Sequence, residues 1–489
     1  MQIQRNTAAA PPVEGNEATP RKGLLMLQHL VNHIGVAVAS KLVPVASIFL
    51  YSHMMSISDY GVLNLSASYL WILGIVMTVN LHTGIGRYVY TQDADYAGFL
   101  GTTFVAVGAI YIPLAAVILF NLDTFAGWMA LPRQVVVLML LVVTGAIAES
   151  IFTQISIYRQ DSNRLVRCIS VKAVATLSLS TGLLLLLNTE KYYAVLYADA
   201  GISICFMLWV LYGLRRDIRV GLHWAHLKYM ANYAVPMIPY MLCLTLLSQF
   251  DRVMIDRFFG KEATGLYSLS YNVGVLMLMV VTALLNVFTP SFFAAVNNRD
   301  YARVLKEADG VFALAVFATV FLVLFGENLF GLLVPTKYDS ALDLIPVVAI
   351  GGLCLVVFQL WARLVAYANK TYLLSLIATI ATVLKICLNL AVFPVLGYKS
   401  AAATTVLGYL LMSLMCVWAV NTRVGLFKVP LRKHLGYIVA CVAMLVFFST
   451  TPLPVWLMLT LKAAALVATG LHFKKQVMTL LLARSAPSQ

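Results

Sequence analysis

Residues 97–120 read AGFLGTTFVAVGAIYIPLAAVILF, a run of 24 residues that contains no charged side chain. As an α-helix this run would be about 36 Å long, which exceeds the roughly 30 Å hydrocarbon core of a bilayer. Apolar runs of 18 or more residues recur along the chain from Leu24 to Phe473. We therefore predict a helical protein that crosses a membrane many times.

The composition of the whole chain supports the same class of protein. Of its 489 residues, 61% are hydrophobic and 11% are charged, whereas soluble domains are about 45–50% apolar and about 25% charged. The polar stretches are too short to fold as a separate catalytic domain, and the sequence has no nucleotide-binding loop, H-E-x-x-H or G-x-S-x-G motif. The seven cysteines are widely spaced, without metal-ligand spacing. We predict a non-enzymatic protein with no metal site and no ATP motif.

Breaks in hydropathy at charged and turn-forming residues predict fourteen transmembrane helices. Their approximate ranges are 24–54, 60–85, 95–121, 133–158, 165–187, 191–213, 228–250, 263–291, 305–334, 341–367, 372–395, 398–421, 433–450 and 453–473. With both termini in the cytoplasm, 22 of the 34 Lys and Arg residues fall in cytoplasmic segments. Because positive loops are retained in the cytoplasm, we predict a multi-pass protein with this orientation. The net charge of +14 is spread over many loops, so nucleic-acid binding is not expected.

A weak internal repeat divides the chain into two halves. Residues 61–66 (GVLNLS) align with residues 265–270 (GLYSLS) at an offset of 204, and Tyr192 aligns with Tyr398 at a similar offset. Chance alignment of small residues at helix starts is the alternative, but duplicated halves are typical of transporters. The predicted units are a disordered tail (1–23), a six-helix bundle (24–213), a linker (214–227), a second bundle (228–421), a helix pair (422–473) and a second tail (474–489).

Seven ionisable residues fall within the predicted spans. They are Lys41, Glu149, Lys172, Asp199, Arg363, Lys385 and Lys462. Each would cost about 2.5–3.5 kcal/mol at the centre of a lipid-facing helix, so we expect them to face the protein interior or water. Five are cationic and two are acidic, which favours an anionic ligand.

Several of these residues have a polar neighbour four positions away, on the same face of the predicted helix. Lys385 shares a face with Asn389, and Arg363 shares one with Gln359. We predict that these four residues, together with Lys41 and Lys172, bind the substrate. For Arg363 the alternative is snorkelling to the membrane surface.

The intramembrane acids admit two interpretations. Glu149 and Asp199 are either counter-ions of Lys41 and Lys385, or proton carriers of a transporter coupled to H⁺ or Na⁺. Near the end of the seventh span, Asp251 and Arg252 are either a gate between the bundles or a local salt-bridged helix end.

The chain resembles polysaccharide transporters of the Wzx type, in the multidrug/oligosaccharidyl-lipid/polysaccharide exporter superfamily. The residues that carry the resemblance are Lys41, 58–64 (SDYGVLN), 84–88 (GIGRY), 250–255 (FDRVMI), 259–260 (FG) and 265–268 (GLYS). The resemblance implies two six-helix bundles in a V around a cationic cavity. It also implies a flippase for undecaprenyl-pyrophosphate-linked oligosaccharide in the bacterial inner membrane. The extra helix pair resembles that of lipid II flippases, which implies a groove for the lipid tail at Lys462.

The partners that this resemblance implies are the lipid-linked oligosaccharide, membrane lipids and the glycan polymerase and chain-length machinery of O-antigen, capsule or exopolysaccharide synthesis. A cation-coupled drug antiporter of the same superfamily is the first alternative, although it should carry an acid in the helix where Lys41 lies. A glycan polymerase or ligase is the second, although it should carry a larger loop than residues 251–262. A scaffold without transport activity would leave the intramembrane cations unexplained.

Overall fold

The computed structural model describes residues 42–88, 95–159, 161–452 and 454–482. Within these ranges the protein is helical and contains no β-strand, which confirms the predicted all-α polytopic membrane fold. Short polar side chains begin several helices by capping their first turn. For example, the hydroxyl of Ser56 accepts a hydrogen bond from the backbone N–H of Asp59 at 3.0 Å.

The helices are numbered here in chain order. They are α1 (Leu42–Met54), α2 (Ile57–Thr78), α3 (Ile85–Tyr88), α4 (Tyr96–Phe120), α5 (Leu122–Met129), α6 (Arg133–Tyr158), α7 (Ser162–Leu186), α8 (Tyr192–Leu214), α9 (Trp224–Ala234), α10 (Ile238–Gly274), α11 (Leu276–Asn297), α12 (Tyr301–Leu333), α13 (Leu344–Tyr367), α14 (Thr371–Leu396), α15 (Ser400–Ala419), α16 (Leu431–Thr450) and α17 (Val455–Leu482). Short 3₁₀ turns join α2 to α3 (Leu81–Gly84), α9 to α10 (Val235–Met237) and α12 to α13 (Thr336–Ala341).

Twelve helical segments in the described ranges are long and apolar enough to cross a membrane. One of them, Trp224–Asn286, is 63 residues long, about three times the length that one crossing needs. The predicted first span, 24–54, lies largely outside the described residues, and only the short apolar helix α1 of it is seen. Twelve segments and fourteen predicted spans therefore differ mainly because one segment is composite and the first span is incomplete.

The largest change in a helix boundary concerns the seventh span, which was predicted over 228–250. Pro236 interrupts the chain after α9, because proline has no N–H to continue the ladder. Helix α10 then continues past residue 250 as far as Gly260, where the backbone bends at φ 83°, a conformation that favours glycine. Asp251 and Arg252 consequently lie within a buried helix and not at its exposed end.

The helices pack in two groups with an attached pair. Helices α2, α4, α6, α7 and α8 contact one another, as do α10 to α15, while α16 and α17 pack on α12. Helix α9 contacts α4 and the turn Leu81–Gly84, so the first helix after the predicted linker packs on the first group. The main contact between the groups is α2 against α10. The domain boundaries themselves stay predictions.

The two copies of the sequence repeat meet at the contact between α2 and α10. A Cβ atom on Gly61 would collide with the carbonyl oxygen of Lys261, and a Cβ atom on Gly265 would collide with that of Ile57. At the repeat offset of 204, Lys261 corresponds to Ile57 and Gly265 to Gly61, so the two contacts are equivalent. This reciprocity is typical of a two-fold axis between similar halves. We call this contact, formed by Ile57, Gly61, Lys261 and Gly265, the closed end.

Candidate functional site

A cavity lies between the two helix groups, far from the closed end. Its volume is about 530 Å³, and it is lined by Asn80, Thr83, Gly86, Gln154, Ile157, Tyr233, Met237 and Met241. These residues come from the turn after α2, from α3 and α6, and from the junction of α9 with α10. Helix α2, about 33 Å long, separates the cavity from the closed end. Among the side chains that the structure describes, none in this lining is charged.

Buried polar side chains join the two groups near the closed end. Arg252 donates to Gln249 Oε1 at 2.9 Å and to Asn272 Oδ1 at 3.0 Å. The Asn272 amide in turn donates to Asn64 Oδ1 at 3.0 Å and to the hydroxyl of Tyr60 at 3.2 Å, both on α2. None of the hydrogen bonds that Arg252 makes to described residues goes to a carboxylate. The predicted gate residue is thus in the interface between the groups, and its gating role stays a prediction.

Two lysines add contacts from the second group to helix ends of the first. Lys261 Nζ donates to the carbonyl oxygen of Ala130, which ends α5, at 2.7 Å. Lys337 Nζ donates to the carbonyl oxygen of Met55, just after α1, at 2.6 Å. Lys337 lies between two candidate membrane spans, and burial lowers the pKa of its amine. Amines at the C-terminal carbonyls of helices complete hydrogen bonds and oppose the negative end of the helix dipole.

Asp251 is the centre of a closed polar cluster within the second group. Lys385 Nζ lies 2.7 Å from Asp251 Oδ2, and both side chains are at most 2% exposed. The hydroxyls of Tyr267 and Thr405 donate to the same oxygen at 2.8 Å, and Asn389 donates to Oδ1 at 2.9 Å. We call these five residues the Asp251 cluster. In this conformation neither Lys385 nor Asn389 can contact a ligand in the cavity.

The observed partner of Lys385 differs from both partners considered from the sequence. Glu149 and Asp199 were the expected counter-ions, but the buried carboxylate beside Lys385 is Asp251. Asp251 and Arg252 also do not form an exposed local pair, since they are 1% and 3% exposed and have different partners. The reason is the continuation of α10, which carries Asp251 inside the bundle to face α14 and α15.

A second lysine–carboxylate pair, in the first group, joins α6 and α7. Lys172 Nζ lies 2.7 Å from Glu149 Oε2, with side chains 14% and 33% exposed. Lys172 also lies 5.4 Å from the centre of the Phe206 ring. Asp199, which accepts a hydrogen bond from Ser203 at 3.4 Å, is close enough to Lys172 to interact with its charge. Glu149 is therefore placed as the counter-ion of Lys172. A proton-carrying role of Glu149 or Asp199 stays a prediction.

Arg363 and Gln359 lie away from both lysine pairs. Arg363 lines a small cleft of about 10 Å³ together with Thr289 and Glu307. Neither Arg363 nor Gln359 forms a hydrogen bond or an ion pair with a described residue. Glu307 has one oxygen in contact with Ser291 and Arg303, while its Oε2 atom has no partner in the described ranges. A ligand contact by Arg363 would therefore not require an existing ion pair to break.

Lys462 and Lys41 complete the predicted set. Lys462 is 6% exposed, and its Nζ donates to Asn328 Oδ1 on α12 at 2.9 Å. That contact attaches α17 to the second group. Lys41 lies outside the described residues. The structure thus assembles the Asp251 cluster and the Lys172–Glu149 pair, but it does not bring the four described cations of the predicted set together in one cavity.

The residues that line the cavity were missed by the search for buried charge. Asn80, Thr83 and Gln154 are uncharged, and a hydropathy pattern treats them as minor interruptions of apolar helices. The available signal was Gln154, an amide near the C-terminal end of the largely apolar α6. The cluster partners Tyr267 and Thr405 were missed for the same reason.

Comparison with known proteins gives a family match and a set of similar folds. Residues 51–343 match the model of a family described as "Polysaccharide biosynthesis protein". No curated protein matches the chain. Among solved structures, the chain is similar to "Lipid II flippase MurJ, inward closed conformation", with a TM-score of 0.70 and 12% identity over 92% of this chain and 100% of that one.

The chain is also similar to transporters with a different cargo. One is an inward-facing multidrug resistance MATE family transporter of the MOP superfamily, with a TM-score of 0.63 and 12% identity over 81% of this chain and 98% of that one. Another is an outward-facing MATE family transporter, with a TM-score of 0.54 and 15% identity over 81% of this chain and 96% of that one. At such identities the likeness establishes the fold alone.

Proposed function

The chain belongs to the polysaccharide biosynthesis protein family, and from this premise we propose that it is a flippase for lipid-linked oligosaccharide. The resemblance to polysaccharide transporters of the MOP superfamily is confirmed. Family and fold point to a membrane transporter or flippase and not to a catalytic enzyme. The proposed substrate is undecaprenyl-pyrophosphate-linked glycan, moved from the cytoplasmic to the periplasmic leaflet of a bacterial inner membrane.

The single observation that carries the proposal is the arrangement of α2 and α10. These helices touch through glycines at the closed end, and the groups that contain them part around a 530 Å³ cavity. In the predicted orientation the cavity opens to the cytoplasm and the closed end faces the periplasm. Rocking of one group against the other would part the closed end and shut the cavity, which is alternating access.

The charged residues take separate roles in this proposal. Because Lys385 and Asn389 are held in the Asp251 cluster, we assign the first contacts with the diphosphate to Lys41, Lys172 and Arg363. The prenyl chain stays in the lipid phase throughout, so only the polar headgroup has to pass between the helix groups. This division avoids moving a long apolar chain through a polar cavity.

Transport would draw its energy from a gradient or from consumption of the product. We propose H⁺ or Na⁺ coupling, with Glu149 and Asp199 beside Lys172 as the residues that respond to the ion. Removal of the flipped glycan by polymerase and chain-length machinery would pull the reaction in the same direction. Neither route requires ATP, for which the sequence has no motif.

The proposal is tested with purified protein in liposomes that contain a fluorescent polyprenyl diphosphate trisaccharide. A membrane-impermeant glycosidase added outside cleaves only the outer half of the substrate unless the protein moves the rest outward. We expect cleavage to pass well beyond half in the presence of the wild-type protein. The same vesicles, given H⁺ or Na⁺ gradients, identify the coupling ion by a change in rate.

The similarity to multidrug transporters makes drug antiport the alternative function to be tested against the flippase. Ethidium movement is measured in matched vesicles under the same gradients. Ethidium flux without movement of the glycan lipid would overturn the flippase proposal in favour of drug antiport. Extension of the trisaccharide would revive the polymerase alternative.

A further inference from the structure

A cleft at one end of the first helix group contains an arginine side chain without a carboxylate partner. The cleft lies where the C-terminal ends of α6 and α8 meet the first turn of α7, and its volume is about 40 Å³. It shares no lining residue with the cavity between the two helix groups. All three helices are candidate membrane spans, and the ends of spans lie near the lipid headgroups. We propose that this cleft binds the phosphate group of an anionic phospholipid.

Arg164 is the side chain in the cleft that is best placed to bind an anion. Its guanidinium carbon lies 6.0 Å from the centre of the Phe152 ring and 5.8 Å from that of the Trp209 ring. Aromatic rings attract the cation and restrict the plane of the guanidinium group. The backbone N–H of Arg164 donates to Asp161 Oδ1 at 3.1 Å, but no hydrogen bond or ion pair joins the guanidinium to a described residue. Its N–H donors are therefore available to a ligand.

The other charged groups at this end leave the cleft positive. Arg159 also lines the cleft, and its guanidinium lies 2.7 Å from Asp217 Oδ2. Asp161 lines the cleft as well, and one of its oxygens already caps the first turn of α7. Residues 159–167 and 215–217 contain five arginines and two aspartates, a net charge of +3. Such a surface attracts anions and repels cations.

Exposed apolar and aromatic side chains beside the cleft favour a lipid over a soluble anion. Leu208, Trp209 and Tyr212 on α8 and Ile157 on α6 are all exposed. Apolar side chains near the end of a membrane span face the acyl chains, and tryptophan and tyrosine are enriched at the headgroup level. A phosphodiester in the cleft would thus have its acyl chains beside apolar side chains. Basic pockets between membrane helices bind lipid headgroups in this way.

The size and the donor geometry of the cleft suit a phosphodiester. Its 40 Å³ is roughly three times the space that one ordered water needs, which admits phosphate oxygens but not an oligosaccharide. A guanidinium presents its N–H groups as a planar fork, which matches two oxygens of one phosphate. Lysine at position 164 would keep the charge but lose both the fork and the ring stacking. This difference separates a shaped site from a general attraction of the basic surface to anionic lipids.

Lipid binding at this cleft does not depend on the flippase function, and it is measured with the full-length protein in detergent. Native mass spectrometry counts the bound molecules of phosphatidylglycerol and of phosphatidylcholine with the same acyl chains. We expect the wild type to bind phosphatidylglycerol about fivefold more tightly, the effect of one arginine near a membrane surface. Binding of phosphatidylcholine, which should be equal in all variants, is the control for folding.

Arg164→Gln and Arg164→Lys are the variants that test the cleft. Arg164→Gln should lose the preference for phosphatidylglycerol, and Arg164→Lys should lose most of it because the fork is absent. Arg423→Gln is the matched control, because Arg423 is exposed and lies 5.9 Å from the Trp418 ring in the second group. This control removes the same charge and a similar ring contact away from the cleft, and it should keep the wild-type preference.

Several results would overturn the proposed lipid site. Equal binding of the two lipids by the wild type, or an unchanged preference in Arg164→Gln, would show that the cleft holds no anionic lipid. A full preference in Arg164→Lys, or an equal loss in Arg423→Gln, would reduce the effect to general surface charge. Displacement of phosphatidylglycerol by inorganic phosphate, but not by chloride at the same ionic strength, would make the ligand a soluble anion.

Discussion

The two halves of the molecule each contain a lysine–carboxylate pair of the same length in very different surroundings. In the first half Lys172 lies 2.7 Å from Glu149, and the side chains are 14% and 33% exposed. In the second half Lys385 lies 2.7 Å from Asp251, and the side chains are 2% and 1% exposed. Distance alone therefore says little about the role of an intramembrane ion pair.

The two ion pairs differ in burial and in hydrogen bonding, and this difference indicates different roles for the two halves. The carboxylate of Asp251 has four donors around it, so the pair is held by a complete set of hydrogen bonds. Glu149 accepts from Lys172 alone among the described residues. A fully bonded buried pair stabilises one geometry, whereas a partly exposed pair can exchange its partner for a proton, an ion or a ligand. We infer a rigid second half and a responsive first half.

The largest effect is expected from Asp251→Ala. The substitution leaves the buried ammonium of Lys385 without a counter-charge, which typically costs about 3–5 kcal/mol. Unfolding of purified protein in denaturant, followed by tryptophan fluorescence, should show this loss. A change below about 1 kcal/mol would contradict the rigid role of the cluster.

A double variant sharpens the same test. Replacing both members of a buried pair by apolar residues of similar size is often close to neutral. Asp251→Leu combined with Lys385→Met should therefore recover most of the stability lost in Asp251→Ala. If the double variant is stable and still transports glycan lipid, Lys385 is a structural residue and not a substrate ligand.

The second effect in size concerns the closed end, where the two halves make equivalent contacts. Gly61→Val and Gly265→Val each insert a side chain against a backbone carbonyl across the closed end, and such overpacking costs about 1–3 kcal/mol. Because the two contacts are equivalent, the two variants should lose similar stability and should both favour separation of α2 from α10. Glycan-lipid movement should fall in each.

Gly74→Val is the matched control for those variants. Gly74 lies on the same helix as Gly61, but a Cβ atom there would meet nothing within 4 Å. The control should keep nearly normal transport and unfolding. A large loss in Gly61→Val with none in Gly265→Val would contradict the two-fold equivalence of the closed end.

Two features of the fold, membrane insertion and the duplication of the halves, could be predicted because they depend on patterns that extend over many residues. Membrane insertion follows from apolar runs such as 97–120, and the duplication follows from residues 61–66 and 265–270, whose glycines meet in the structure. Those features are repeated along the chain, so local errors in boundaries do not affect them.

The sequence did not predict which charges neutralise one another. Lys385 was paired with Glu149 or Asp199 because Asp251 was placed outside the seventh span. That error followed from ending the span at the first charges after residue 250, whereas α10 continues to Gly260. Buried ion pairs let a helix carry charge past the point where hydropathy falls, so hydropathy places such ends too early. The uncharged cavity residues Asn80 and Gln154 gave no comparable signal.

The smallest effect on stability is expected from Glu149→Gln in the responsive pair. The amide keeps the size of the side chain and can still accept from Lys172, and partly exposed pairs contribute about 1 kcal/mol or less. The free energy of unfolding should therefore change little, in contrast to Asp251→Ala. If Glu149 responds to the coupling ion, the rate of glycan-lipid movement in liposomes should lose its dependence on an imposed H⁺ or Na⁺ gradient.

Lys172→Met separates the two interpretations of Glu149. A proton carrier would change its gradient dependence when its lysine partner is removed, because the carboxyl group loses the cation that stabilises its charged form. A simple counter-ion would lose its purpose with the lysine, and the transport rate would fall without any change in gradient dependence. Unfolding losses as large as those of Asp251→Ala would instead make this pair structural, and the contrast between the halves would not hold.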